Sequence, residues 1–310
     1  MNRTILEIVI VTWNSSAEIG ECLGALQPLP QNWRVSVVDN NSSDNTVDFI
    51  KRNFPNVNVI ANQNNVGFAK ANNQIIGQTD SDYVLILNPD TVASVNAIQA
   101  AIEKIETLPG AGILGVKILN SDGSLQHSCR RFPSPVLNFV VAFGFHTVLP
   151  KGWRVENLLS QYWDHDRERQ VDWLMGAFML VRREAINKVG AMPDEYFLYY
   201  EETDWCYQIW RGNYEVWFTP EISIMHHGNK SGEQKSSEWR TSLVYESKYK
   251  FCRRNYGAAA TKIIQATDFA GYTLRKWYYG WSNKNNNENK RKYESMQLSQ
   301  SITRQWLLSK

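Results

Sequence analysis

Along the first 120 residues the apolar positions change period repeatedly. Apolar, β-branched runs fall at 5–13 (ILEIVIVTW), 35–38, 57–60, 84–87 and 112–116. The segments between them, 17–26, 46–53, 69–77 and 95–108, repeat their apolar residues at helical spacing. Strand, helix, strand, helix in short succession predicts crossover units. The fold class is therefore α/β, a Rossmann-like, mainly parallel central sheet with helices on both faces. In such sheets ligands bind outside the carboxyl ends of the strands. Polar residues gather at those ends: Thr12-Trp13-Asn14, Asp39-Asn40-Asn41, Asn62 to Gly67, and Asn88-Pro89-Asp90. Any one of these is an ordinary polar loop, but four on one rim have the pattern of a site.

Beyond residue 120 the pattern loosens. The stretch 121–170 holds Pro133, Pro135 and Pro150 and reads as an irregular segment over the sheet edge. Its apolar run 136–149 contains Asn138 and His146 and is too short to span a bilayer, so a core or interfacial helix is expected. Residues 171–190 return to strand then helix, 196–214 read as a loop entering a helix, and 214–232 as a strand pair ending in histidines. Two helices are expected at 242–256 and 259–279, and the low-complexity run 283–292 (NKNNNENKRK) is expected to be disordered. The chain thus divides into a sheet domain over 1–235, a helical extension over 236–282 and a basic tail over 283–310.

An apolar fraction of 43% and a charged fraction of 21% are those of a soluble globular protein. Net charge is only +2, yet residues 248–310 carry 13 Lys and Arg against Asp268, Glu288 and Glu294, which leaves the first 247 residues at −8. Ten aromatic residues between Tyr245 and Trp281 interleave with this basic charge, and Ile263, Leu274 and Trp277 can share one helix face. That combination suits an anionic membrane surface; the alternative is packing on the sheet domain with a solvated basic face. Nucleic acid is not an expected partner, because no RNP, helix-turn-helix or zinc-finger signature accompanies the charge. Four cysteines without CxxC spacing argue against a disulfide framework and point to a reducing cytoplasm. Glu7 inside the first apolar run marks a strand rather than a signal peptide, and no run of about 18 apolar residues occurs that would cross a membrane.

The first strand–helix turn, TWNSSAEIG, lacks the glycines of a dinucleotide loop, and no GxxxxGK[ST] is present. A diphosphate bound here would need another source of positive charge, and a divalent cation held by carboxylates, Mg²⁺ or Mn²⁺, supplies it. Asp90 stands at the strand end where a phosphate would arrive. Its competing role is to cap the helix that begins near Ser94.

Several motifs in series resemble one family. VIVTWN (9–14), VVDNNSSD (37–44), NVGFAKANN (65–73), LILNPD (85–90), WLMGAFMLVRR (173–183), YYEETDWC (199–206) and PEISIMHHGNKS (220–231) occur in the order and spacing of family 2 glycosyltransferases of the GT-A fold. The likeness covers about residues 5 to 232 and is strongest to bacterial rhamnosyltransferases of polysaccharide assembly, with Asn-Pro-Asp where other members have Asp-x-Asp. The resemblance implies a nucleotide-sugar site. Thr12, Trp13 and Asn14 would lie at the base, with Trp13 stacked on it. Asp39 would accept from the ring N–H, with Asn41 beside it. Gly67 and Asn72 or Asn73 would stand near the nucleotide and Asn88 at the ribose or phosphate. Asp90 would hold the metal, completed by His226 or alternatively His227, and Lys230 would meet phosphate. Gly176 would leave room for the donor sugar, while Trp173 would stack on a sugar ring or else serve the core.

For an inverting transfer the resemblance implies Glu202 as general base, in place of the family's aspartate and one methylene longer, with Glu201 and Asp204 as alternatives. Glu201 would also face the acceptor. The implied activity is metal-dependent transfer of a sugar, L-rhamnose from dTDP-rhamnose, to a hydroxyl of a saccharide or lipid-linked saccharide at the inner face of the cytoplasmic membrane. The alternatives are another donor, UDP-Gal or UDP-GlcNAc, or a catalytically silent nucleotide-sugar-binding or membrane-scaffold protein.

Overall fold

The computed structural model describes residues 4–228, 236–281 and 287–308. At its centre is β1 (Leu6–Thr12), buried along its whole length and flanked in the sheet by β2 (Trp33–Asp39) and β4 (Tyr83–Leu87), each parallel to it. A strand covered on both faces has no solvent-facing positions, which explains the unbroken apolar run. Glu7 is the exception. It is buried, accepts from Ser36 Oγ at 2.7 Å, and burial raises its pKa. Next to β2 lies β3 (Asn58–Ala61), also parallel, at the sheet edge.

The connections are helical: α1 (Ile19–Ala25), α2 (Thr46–Asn53), α3 (Phe68–Ile76) and, beyond the short β5 (Thr91–Val92), α4 (Val95–Glu106). Ser94 caps α4 by accepting from Ala97 N at 3.2 Å, so that helix does not need Asp90 as its cap. Strand β6 (Ala111–Leu119) follows, then the two-residue strands β7 (Leu125–Gln126) and β8 (Cys129–Arg130).

The second half departs from the parallel pattern. After α5 (Pro135–Ala142), α6 (Lys151–Asn157), β9 (Arg169–Gln170) and β10 (Trp173–Leu174), strand β11 (Phe178–Arg182) inserts between β4 and β6, antiparallel to both. Helices α7 (Arg183–Val189) and α8 (Glu201–Arg211) lead to β12 (Glu215–His226), which runs parallel to β6. The sheet order is β3-β2-β1-β4-β11-β6-β12-β5. The expected strand pair over 214–232 is one long strand with a register shift between Thr219 and Ser223. Pro220 lies in that shift, where a missing N–H interrupts the ladder without ending the strand. The end of β12 pairs His226 with Thr91, which returns the histidine to the rim formed by the ends of β1, β2 and β4.

Two compact units are present: Met1–Arg131 with Trp163–Gln234, and Phe132–Tyr162 with Lys235–Lys310. Residues 132–162 therefore group with the C-terminal helices, not with the sheet they were expected to cover. In this second unit α9 (Ser237–Trp281) is interrupted at Gly257 (φ 84°), which gives the two helices read from the sequence. A buried charge network ties it to α5. Lys248 Nζ meets the Asp268 carboxylate at 2.7 Å and Asn138 Oδ1 at 2.7 Å, and Tyr249 OH donates to Asp268 at 2.9 Å. Of the run expected to be disordered, residues 283–286 lie outside the described residues, and the rest departs from expectation, since α10 (Asn287–Leu308) is helical. Its Ser299, Ile302 and Thr303 are buried and Gln300 bonds Thr273, a helical face that the polar run 283–292 masks.

Candidate active site

The end of β2 is held by a dense set of hydrogen bonds. Asp39 is buried and accepts from Thr12 Oγ1 (2.9 Å), Ser42 N (2.8 Å) and Ser42 Oγ (2.5 Å). Three donors on one carboxylate fix its orientation. Asn14 joins the β1 and β2 ends, since its N–H donates to Ser42 Oγ at 2.8 Å and its Oδ1 accepts from Ser43 N at 2.8 Å. Trp13 is half-buried beside it. Asn41 is exposed, in a left-handed turn (φ 63°). The inward residue is its neighbour Asn40, buried, with Nδ2 donating to Gly67 O at 3.2 Å and Oδ1 accepting from Asn62 Nδ2 at 3.0 Å.

Gly67 has a structural reason to be glycine. Its φ is 88°, and a Cβ there would stand 2.5 Å from Phe197 O. Phe68 N donates to that same carbonyl at 3.0 Å. A line of contacts thus runs from Asn40 through Gly67 to the segment that enters α8. The asparagines after it serve the scaffold. Asn72 Nδ2 donates to Phe68 O in its own helix, with Oδ1 buried and without a partner, and Asn73 holds both N and O of Met192.

At the end of β4 the turn is closed by Thr91 N donating to Asn88 O (3.1 Å) and anchored by Asn88 N donating to Ala177 O (3.2 Å). Asp90, 7% exposed, faces His226 with Oδ1 3.1 Å from Nε2. Asn88 Nδ2 lies 3.4 Å from the same nitrogen. The other ring nitrogen, Nδ1, donates to Gln126 Oε1 at 2.6 Å. A histidine oriented this way through Nδ1 presents Nε2 to Asp90. A carboxylate oxygen and an imidazole nitrogen 3.1 Å apart at the strand end are donors that would suit a divalent ion. The imidazole favours the softer of the two candidates, Mn²⁺ over Mg²⁺. Among the described residues no group of three His, Cys, Asp or Glu could hold a metal, so substrate phosphate would have to supply further ligands. His227 is turned elsewhere, its ring nitrogens meeting Ser121 Oγ (2.7 Å) and Glu21 Oε2 (2.9 Å). Lys230 lies outside the described residues.

The acidic cluster opens α8 after two left-handed residues, Tyr199 (φ 67°) and Tyr200 (φ 71°), a strained entry of the kind found at functional sites. The three acids separate clearly. Asp204 is fully buried and spent on structure, accepting from Tyr196 OH (2.9 Å) and Gln208 Nε2 (3.0 Å). Glu201 is buried with Oε2 unpartnered, and burial followed by the charge of Glu202 raises its pKa well above the usual range. Glu202 is half-buried, its Oε2 also lacks a partner, and burial pushes its pKa up to about 7, partly offset by backbone N–H groups and by Arg130. A group with that pKa takes a proton at neutral pH.

Gly176 and Trp173 complete the wall. A Cβ on Gly176 would lie 3.7 Å from Phe68 and 4.0 Å from Glu202 Cβ, so the protein alone leaves room there. Trp173 donates from Nε1 to Arg131 O at 3.0 Å and carries Arg130 over its ring at 5.6 Å. Arg130 and Gln126 were not legible from the sequence, since both lie in the irregular stretch where no period marks a facing side.

A family model described as glycosyl transferase family 2 matches residues 7–190, the segment that carries Asp39, Gly67, Asp90 and Gly176. The chain belongs to glycosyltransferase family 2. Among its curated relatives, the N-acetylglucosaminyl-diphospho-decaprenol L-rhamnosyltransferase of Mycobacterium tuberculosis is 30% identical over 239 residues, 72% of this chain and 76% of the relative. Rhamnosyltransferase WbbL of Escherichia coli is 27% identical over 252 residues, 77% and 90% of the two chains. The fold of this family 2 glycosyltransferase is shared by solved enzymes at much lower identity. The mannosyltransferase PcManGT from Pyrobaculum calidifontis, solved with GDP-Man and Mn²⁺, matches at TM-score 0.58 and 15% identity over 99% of this chain and 88% of its own. TarS 1-349 of S. aureus, solved with UDP-GlcNAc, matches at 0.53 and 16% over 94% and 79%. The fold is GT-A, and the chain is a glycosyltransferase.

Proposed function

We propose that this enzyme transfers L-rhamnose from dTDP-L-rhamnose, with inversion, to a hydroxyl of a lipid-linked saccharide, in a metal-dependent reaction of cell-surface polysaccharide synthesis. The names of two relatives support the sugar, and that of the mycobacterial one, acting on a diphospho-decaprenol-linked sugar, supports the acceptor. The observation that carries the mechanism is the pairing of Asp90 with His226 on the rim that also bears Asp39. Asp39 accepts the N–H of the pyrimidine base, and Trp13 offers an apolar face for it. Asp90 Oδ1 and His226 Nε2 would hold the divalent ion, which when bound neutralises the charge left on the departing diphosphate. Gly176 leaves the sugar room beside Glu202. Glu202 takes the proton of the acceptor hydroxyl as its oxygen bonds to the anomeric carbon and the bond to the diphosphate breaks. Arg130, on Trp173, moderates the charge of Glu202.

The acceptor would be met at the inner face of the cytoplasmic membrane by a peripheral protein, and no described helix is long and apolar enough to cross a membrane. The test is transfer from dTDP-L-rhamnose to a polyprenyl-diphosphate N-acetylglucosamine acceptor, with Mn²⁺, Mg²⁺ or chelator, the product read by mass spectrometry. Expected is metal-dependent addition of one deoxyhexose. Preferred turnover of UDP-Gal or UDP-GlcNAc would overturn the donor assignment.

A further inference from the structure

Among the described residues, every large apolar side chain that is exposed, Phe197 apart, belongs to the second compact unit. Four of them form a stripe at the end of α9: Leu274 (52% exposed), Trp277 (70%), Tyr278 (57%) and Trp281 (80%), spaced i, i+3, i+4, i+7. Ile263, eleven residues before Leu274, continues it three turns back and is also exposed. An amphipathic helix of a globular unit buries such a stripe. Here α9 buries Ile264, Asp268 and Gly271 instead and turns the aromatic stripe outward. Trp277 and Trp281 stack in parallel, 6.3 Å apart at 5°.

Helix α10 runs antiparallel beside it. Lys276 Nζ reaches Gln300 Oε1 at 2.9 Å, Lys262 Nζ reaches Leu307 O at 3.1 Å, and a Cβ on Gly280 would lie 3.2 Å from the Tyr293 ring. The start of α10, with Lys290, Arg291 and Lys292 all exposed, therefore stands beside the end of α9 that carries the tryptophans. Lys292 is paired with Glu288 at 2.6 Å, which leaves the tip cationic. Along α9, the end of α5 abuts Gly271 and Arg275, whose guanidinium donates to Val141 O, and α5 adds exposed Val136 and Phe139.

We infer that this aromatic and cationic tip of the α9–α10 hairpin is the surface by which the enzyme docks on a bilayer containing anionic phospholipid. Tryptophan and tyrosine partition to the headgroup level, and lysine and arginine around them answer the anionic charge. The tip belongs to the stretch 248–310 that holds the chain's positive excess, while the rest of the chain is net negative. A second copy is a poorer occupant, because pairing two tips brings like charge together. The inference deepens the reading of a membrane-borne acceptor and rests on it for its purpose, yet it is measured without donor or acceptor.

The experiment is co-sedimentation of the full chain with vesicles of phosphatidylcholine alone or mixed with phosphatidylglycerol, in low and high salt. Wild type should bind the anionic vesicles far better, and high salt should release it. Trp277→Ser with Trp281→Ser should lower partitioning at least about tenfold. Lys290→Gln with Arg291→Gln should lower it roughly 25-fold, each basic residue near the surface being worth roughly fivefold. All four side chains are exposed, so melting curves should match wild type. Equal binding to both vesicle types, no binding, or variants that bind like wild type would overturn the inference. So would a dimer in sedimentation velocity that the tryptophan pair dissolves while vesicles are ignored. Failure of rhamnosyl transfer alone would leave a positive vesicle result standing.

Discussion

Replacing Glu202 by Gln should stabilise the protein at alkaline pH while stopping its chemistry. The carboxyl is raised from its ordinary value near 4.5 to about 7, chiefly by burial. A raised folded pKa means that the native state favours the protonated form. Stability from this group is complete below about pH 4.5, declines between there and 7, and is lost above. Moving a carboxyl from 4.5 to about 7 corresponds to ~3 kcal/mol, which half-burial and solvent screening discount to roughly 1–3 kcal/mol. For a chain of this length that is a rise in Tm of about 2–5 °C. Glutamine keeps the shape, removes the charge and relieves Glu201 of its neighbour. The assay is a pair of melting curves at pH 4 and pH 8. Wild type and Glu202→Gln should agree within about 1 °C at the lower pH and diverge at the higher, with the variant the more stable. Transfer at saturating donor should fall about 10²–10⁴-fold in the variant, and wild-type kcat/KM should rise with pH through about 7. A gap in Tm that does not change with pH, or full transfer by the variant, would refute the reasoning.

Three further outcomes are expected. Asp90→Asn should raise the Mn²⁺ concentration needed for half-maximal activity on the order of 100-fold, and Gln126→Leu, which frees the ring of His226, roughly 10–100-fold, both read from metal titrations at saturating donor; an unchanged curve would place the ion elsewhere. Gly67→Ala puts a Cβ 2.5 Å from a carbonyl oxygen at a positive φ and should cost about 2 kcal/mol or more in urea unfolding, with a fall in kcat because the entry to α8 shifts. Gly176→Ala, with no protein atom nearer than 3.7 Å, should leave stability within about 0.5 kcal/mol yet weaken donor binding measured by calorimetry.

Much of the fold was legible because β1, β2 and β4 are central strands rich in β-branched and other apolar residues, and α4 has a clear period and a serine cap. The antiparallel insertion of β11 was not, since the apolar run Phe178 to Val181 carries no direction. In the site, strand ends pointed to Asp39 and Asp90, and the family resemblance pointed to Glu202 with Glu201 and Asp204 as alternatives, though nothing in the residues themselves sets Asp204 apart. That separation comes from Tyr196 and Gln208, which claim Asp204 from across a loop and from one turn along the helix. Asn41 is the residue the sequence reading placed beside Asp39, yet Asn40 is the one that faces Gly67, because Asn41 takes the left-handed turn. The helical tail was hidden for a related reason. Its packing residues, Ser299, Ile302 and Thr303, lie beyond the asparagine-rich run that sets its local composition.

The line from Asn40 through Gly67 to the Phe197 carbonyl also bears on how such enzymes can be recombined. Motifs far apart in sequence share one corner, where a Cβ has no room and a backbone carbonyl takes the Phe68 amide. A chimera that takes its nucleotide-recognising half from one parent and its acceptor-recognising half from another cuts through that corner. Crossover points placed between residues 68 and 196 will yield working hybrids only when the parent of the first half supplies glycine at position 67 and the parent of the second half supplies a loop of the same length ahead of α8.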